Sequence, residues 1–230
     1  MQRQVLYKSD TALVIAVGEM RDAFGCVTFR TFFRAQQDRQ AAQFGFGEGV
    51  LKRAGIPAVH FINLQNHWWL IDDLAPCLAA ANAAMAGARR RTGYGASLGG
   101  YAALRFSQPL VLDEVLAFSP QYSIDRSKAP FEVNWATEAA TLDFSDETMV
   151  IRPGCRAHVV YDPRTIDAKH LGLICAANPQ ADLVPYKVPG GGHRAISSYA
   201  RLGLVQPVLE SIRDGVLDTS SLRQHPAYRP

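Results

Sequence analysis

Residues 95–100 read Gly-Ala-Ser-Leu-Gly-Gly, a G-x-S-x-G pattern that follows the apolar end of one segment and opens a helix-like run, Leu-Gly-Gly-Tyr-Ala-Ala-Leu. A serine on so tight a strand-to-helix turn needs unusual backbone angles, so its flanking positions must be small for the turn to close. The pattern predicts Ser97 as a nucleophile, with the backbone N–H of Leu98 aimed at an oxyanion near the helix start. An ordinary glycine-rich turn is the alternative. A phosphate-cradling loop is disfavoured, because no Gly-Lys-[Ser/Thr] follows and there is no G-x-G-x-x-G.

A serine hydroxyl is a weak nucleophile until a base takes its proton. His193 fits that role, in Pro-Gly-Gly-Gly-His-Arg (189–194) between the last apolar run and the last helical stretch. His60 and His158 fall inside strand patterns, His170 inside a helical one and His225 near the end of the chain; His67, in a loop after a strand, is the one rival. Two carboxylates can orient the imidazole. Asp162, at the end of a strand pattern, is favoured over Asp167, five residues on, which a helix N-cap role would explain.

The elements that must position these groups alternate in type. Short apolar runs at 4–7, 12–17, 58–62, 91–95, 114–118, 157–161 and 183–188 predict strands, several buried on both faces. Helical stretches are expected at 34–53, 70–86, 98–106, 168–177 and 196–214. The rhythm predicts an α/β protein of three αβα layers, with a mostly parallel sheet of six or seven strands. The 230 residues suit one domain, 1–230. Residues 121–150 break the pattern and are expected to cover the carboxyl ends of the strands; the tail from about 216, rich in Ser, Arg and Pro, is expected to be loose.

The order Ser97, acid, His193 and the elbow around Ser97 resemble the α/β-hydrolase family, in which the triad follows that order. The resemblance spans about residues 12–214 and is specific only at the elbow and the His193 loop. It implies a serine hydrolase cleaving an ester, thioester or amide through an acyl-enzyme, most readily a carboxylic ester. Two departures stand out. No His-Gly-Gly-Gly motif follows the 12–17 strand, so by position the second oxyanion donor would be the backbone of Glu19 or Met20. One short strand precedes residue 12 where the full fold has two, so the sheet reads as trimmed at its first edge.

Around the presumed site, His67, Trp68, Tyr94 and Gln121 are candidate substrate contacts, with Arg21 and Phe24 weaker ones; packing explains the aromatic residues equally well. Two other functions share this pattern: an acyltransferase using the same triad, and a catalytically silent hydrolase fold that binds an acyl carrier or glycan.

Lys and Arg outnumber Asp and Glu by 24 to 21, spread along the chain, too small an excess to argue for nucleic acid as a partner. The expected partner is a small acyl or acetylated-glycan substrate. No apolar run is long enough for a membrane span or a leader. The four cysteines lack Cys-x-x-Cys spacing and predict reduced core thiols in a cytoplasmic protein. No metal ligand set is spaced for coordination and no cofactor is implied; the sequence leaves the oligomeric state open.

Overall fold

The structure, a computed structural model, describes residues 1–20, 24–32 and 43–230. Eight strands form one sheet: β1 (Arg3–Lys8), β2 (Ala12–Val17), β3 (Phe24–Phe29), β4 (Ala58–Asn63), β5 (Arg90–Ala96), β6 (Glu114–Phe118), β7 (Arg156–Tyr161) and β8 (Asp182–Lys187). Their order is β1-β2-β4-β3-β5-β6-β7-β8. β2 runs antiparallel to both of its neighbours, and every pairing from β4 through β8 is parallel.

The expected six or seven strands are thus eight, and the first edge is not trimmed. The strand that sequence reading passed over is β3, Phe-Gly-Cys-Val-Thr-Phe, central in the sheet and buried along its length after Phe24. Its glycine and threonine break the apolar run that marked the other central strands.

Helices cover both faces: α1 (Glu48–Arg53), α2 (Leu74–Ala84), α3 (Leu98–Arg105), α4 (Ala136–Ala139), α5 (Asp167–Ala177), α6 (Ala195–Arg201) and α7 (Val205–Glu210). Of the helix expected at 34–53, residues 34–42 lie outside the described residues, and among the described ones the α-helix runs Glu48–Arg53. The stretch expected as one helix at 196–214 is two, broken at Gly203, which adopts a left-handed φ of 70°. The two faces of the sheet carry separate cores. Phe29, Phe61, Trp69 and Tyr101 lie in one, and Tyr94, Phe118, Tyr186 and Tyr199 in the other.

The tail is docked rather than loose. Leu217 and Leu222 are buried, the Leu217 N–H donates to Glu114, the Tyr186 hydroxyl donates to Thr219, and Arg229 bridges to Lys187. Two leucines five apart are enough to anchor a segment whose composition is otherwise polar. Three cysteines are buried as expected, but Cys175 is exposed on α5; none is bridged. Among the described residues no helix is long and apolar enough to cross a membrane.

Two core histidines give the fold a pH limit. His60 is fully buried with Nδ1 2.6 Å from the Thr28 hydroxyl; burial, aided by the charge of Arg3, pushes its pKa down to about 3. Burial, aided by Arg156, pushes His158 down to about 4. The unfolded chain protonates both near 6.5, so above that pH they leave stability unchanged. Stability falls as pH drops from about 6.5 toward those lower values, by up to about 1.4 kcal/mol per pH unit for each histidine. Urea midpoints should therefore decline between pH 7 and pH 4.5, and decline less in a His158→Gln variant. Equal declines would place the loss elsewhere.

Candidate active site

Three loops at the carboxyl edge of the parallel strands meet. β5 ends at Ala96 and α3 begins at Leu98, leaving Ser97 alone at the turn with φ 53° and ψ −122°. The turn closes because its glycines admit no side chain: a Cβ on Gly95 would stand 2.2 Å from the Gly99 carbonyl oxygen, and one on Gly99 would stand 2.3 Å from that of Phe29. The same contact brings the end of β3 against the start of α3.

A non-glycine residue held at such angles costs about 1–3 kcal/mol. Ser97→Gly should relieve part of that while adding the entropy glycine gains on unfolding. The net expectation is a stabilisation of about 1 kcal/mol, or roughly 2–4 °C in Tm for a chain of this size. A melting curve no higher than wild type would show that the turn is unstrained.

From the far side of the sheet, His193 reaches Ser97. Its Nε2 lies 2.8 Å from Ser97 Oγ, and its Nδ1 lies 2.8 Å from Asp167 Oδ1. A carboxylate only accepts, so Nδ1–H donates to Asp167 and Nε2 is left as the acceptor facing the Ser97 hydroxyl. Ser97 is 8% exposed and Asp167 1%, whereas the His193 side chain is 39% exposed. The relay is sheltered at the acid and open at the imidazole.

The favoured acid is therefore corrected: the structure brings Asp167, not Asp162, to His193. Asp162 does sit at the end of β7, but its carboxylate is fully engaged elsewhere. Its Oδ2 accepts the N–H groups of Gly190 (2.9 Å) and Gly192 (2.8 Å), and its Oδ1 accepts that of Arg164 (2.9 Å). It shapes the loop that carries His193. Nor is Asp167 an N-cap: Ile166 takes that position, and Asp167 opens α5 without a side-chain cap bond. Its second oxygen, Oδ2, is buried without a partner.

Leu98 stands at the first position of α3, where its N–H is free of the helix ladder. Glu19 and Met20 are misplaced for the second donor. They follow β2, which runs against β4 so that Val17 pairs with Ala58 at the amino end of that strand. Glu19 and Met20 thus lie at the opposite edge of the sheet from Ser97. β4 and β3 also stand between β2 and β5, putting β2 about 14 Å from β5 at normal strand spacing. The error follows from missing β3: the chain that leaves β3 at Arg30–Phe32 is what passes beside the elbow. The Arg30 N–H already donates to the Phe61 carbonyl, so any second donor from this chain would have to come from beyond Arg30.

Of the proposed substrate contacts, Gln121 lies closest to the chemistry. It is 1% exposed, its Oε1 is 3.5 Å from Ser97 Oγ, and its Nε2 is buried without a partner. The single serine proton goes to the nearer His193 nitrogen. Tyr94 is buried against Phe46 and Phe118 in the core on one face of the sheet. His67 uses both ring nitrogens structurally, Nε2 toward the Thr11 carbonyl and Nδ1 accepting the Trp69 N–H; burial lowers its pKa. Trp68 has no exposed surface, and its ring packs on Phe32 and Trp135. Phe24 opens β3 at the amino edge, and Arg21 lies outside the described residues.

Sequence reading missed the second tier of this site. Residues 121–150 are pinned at both ends by buried polar groups. The Tyr122 N–H donates to His170 Nδ1 (3.1 Å), and His170 Nε2 donates to Glu132 (3.0 Å). Burial pushes the Glu132 pKa up, but the bonds it accepts from His170 and the Asn134 N–H, with the neighbouring imidazoles, outweigh it, so the pKa falls below the ordinary value. On the other side, Glu147 accepts from the Tyr101 hydroxyl (2.8 Å), Ser123 (2.6 Å) and Lys128 (3.1 Å), tying the segment to α3. His170 lies one turn beyond Asp167 on α5, so one helix holds the acid and the cover together. A histidine and a glutamate separated by 38 residues gave no signal in the sequence.

No family model matches the chain, and no curated protein matches it. Solved structures do. Est1E from Butyrivibrio proteoclasticus superposes with a TM-score of 0.56 at 10% identity, covering 92% of this chain and 97% of that one. The capsule O-acetyltransferase of Neisseria meningitidis serogroup A gives 0.55 at 10%, covering 87% and 93%. Alpha/beta hydrolase domain-containing protein 10 from mouse gives 0.51 at 11%, covering 93% and 99%. At these identities the likeness is one of fold, and the chain has the α/β-hydrolase fold.

Proposed function

We propose that this protein is a serine hydrolase that cleaves a carboxylic ester through an acyl-enzyme on Ser97, with His193 as base and Asp167 as the acid that fixes its tautomer. The observation that carries the reading is the continuous relay Asp167–His193–Ser97, 2.8 Å at each step, with the serine at the only residue between β5 and α3. Ser97 Oγ adds to the ester carbonyl carbon as its proton passes to His193 Nε2. The resulting oxyanion is held by the Leu98 N–H and by an N–H of the chain leaving β3 at Thr31 or Phe32. The carbon–oxygen bond to the alcohol then breaks, and His193 returns the proton to the departing oxygen. Water, deprotonated by the same imidazole, releases the acid and restores the serine.

Labelling with a fluorophosphonate, read by intact mass, tests this. Wild type should gain one adduct, absent in Ser97→Ala and in His193→Ala. A folded wild type that gains none would sink the assignment in favour of a binding protein on a hydrolase fold.

A second reading keeps the acyl-enzyme and replaces water with another alcohol. Its support is the capsule O-acetyltransferase that shares the fold. Product ratios with and without added alcohol separate the two: an acyltransferase forms the new ester in preference to free acid.

A further inference from the structure

One buried polar group beside the nucleophile has no part in the relay. Gln121 is 1% exposed, and its carboxamide reaches to within 3.5 Å of Ser97 Oγ. The backbone around it is held at three points. Ser119, two residues before, is fully buried at a left-handed φ of 44°, with its N–H on the Val160 carbonyl (2.7 Å). Pro120 lies against α3, where a Cβ on Gly100 would stand 3.3 Å from the proline Cβ. The Tyr122 N–H is held by His170 Nδ1 (3.1 Å). A non-glycine residue persists at such an angle only where its surroundings over-determine it, and residues of that kind gather at functional sites.

Hydrogen-bond arithmetic decides which end of the carboxamide faces the serine. The single Ser97 proton points at His193 Nε2, 2.8 Å away, so a carbonyl oxygen beside Oγ has no hydrogen to accept. With Oε1 in that place, Nε2 is also idle, buried without a partner. An orphaned N–H is the costlier arrangement, because an under-satisfied carbonyl is better tolerated than an unmet donor. Turning the carboxamide over sets Nε2–H against Oγ. The hydroxyl oxygen has two lone pairs: one adds to the ester carbon, and the other is left for Gln121.

We propose that Gln121 is a further catalytic residue, whose side-chain N–H donates to Ser97 Oγ and holds the negative charge that develops there. The inference rests on the acyl-enzyme reading above. As Oγ bonds to the ester carbon its proton passes to His193 Nε2, and Gln121 keeps both of its own. When water opens the acyl-enzyme, the carbon–Oγ bond breaks and its electron pair returns to Oγ. The same N–H steadies that oxygen until His193 gives back the proton. This donor serves the nucleophile, whereas the Leu98 N–H serves the carbonyl oxygen. At 3.5 Å the contact is long in the free enzyme, and it shortens as charge gathers on Oγ.

The test measures ester kcat and KM, the rate of fluorophosphonate labelling and Tm in wild type, Gln121→Met and Gln121→Glu. Methionine keeps the length and has no donor. The kcat and the labelling rate should each fall by about 10- to 100-fold, with KM within about threefold of wild type. Tm should be no lower, since a buried polar group without a partner has gone. Glutamate keeps the shape and the acceptor but loses the donor while ionised. Its activity relative to wild type should be lowest at pH 9 and recover toward pH 6, where a protonated carboxyl again has a hydrogen to give. A Gln121→Met enzyme that labels at the wild-type rate, or that slows only in step with a lowered Tm, would overturn the role. So would a Gln121→Glu enzyme with wild-type activity across that pH range, and this variant decides alone should the methionine variant fail to fold. Absent labelling in wild type would instead strike at the acyl-enzyme itself.

Discussion

Ser97→Ala and His193→Ala should each lower ester turnover by about 10⁶-fold, and the double variant should be no worse than either. In the proposed mechanism the serine hydroxyl and the imidazole act as one unit. Without the base, Oγ holds its proton at neutral pH and scarcely adds to a carbonyl; without Oγ, the base has no proton to take. Removing the second partner after the first therefore costs nothing more. What survives is the oxyanion site at Leu98 and the bound geometry, worth roughly 10³-fold over water. The loss should appear chiefly in kcat, because in the proposed mechanism both groups act on the bond being made and broken rather than on the bound substrate. Steady-state kinetics on the two single variants and the double variant decide it. A single variant that keeps about a hundredth of wild-type kcat, or a double variant far below both, would show that the two groups do not act as one unit.

The elbow was legible because its chemistry is local. Gly95 and Gly99 must be glycine to let backbone pass backbone within a few ångströms, and that demand, with a serine between them, is written in neighbouring positions. His193 was legible for a related reason, since three glycines before it and a strand before those leave few other structures for the segment. The oxyanion donors were misplaced because they depend on strand order, which no local pattern states. Once β3 was overlooked, β2 took its role, although β2 runs the other way and ends at the wrong edge. The cover over the site was read as an insertion, but its fastening was not, because Glu132–His170 and Glu147–Tyr101 are contacts across 38 and 46 residues. The tail was misread from composition: Leu217 and Leu222 are buried among mostly polar neighbours, and Ser221 goes in with them by bonding the Leu204 carbonyl.

The acid was the hardest residue to read, and a crossed pair of substitutions should separate the two candidates. Five positions apart, both lie between the end of β7 and the first turn of α5, and nothing in residue type says which one faces His193. In the structure they do different work. Asp167→Asn replaces the acceptor for His193 Nδ1–H with an amide that can donate to Nδ1, favouring the tautomer with its proton on Nε2, where Ser97 needs a base. Turnover should fall by about 10⁴-fold. Folding should hold, since Asp167 Oδ2 has no partner to lose and the variant removes a buried charge. Asp162→Asn should do the reverse. One of its oxygens becomes an NH₂ group facing backbone N–H donors, either those of Gly190 and Gly192 or that of Arg164. A buried mismatch of that kind costs about 1–3 kcal/mol, which for 230 residues is several degrees of Tm. Its effect on turnover should be limited to what a loosened His193 loop causes, about 10- to 100-fold. Measuring kcat and Tm for both variants fixes the assignment. A large kcat loss with unchanged Tm in Asp167→Asn identifies the acid, and the same signature in Asp162→Asn would move the role to the end of β7.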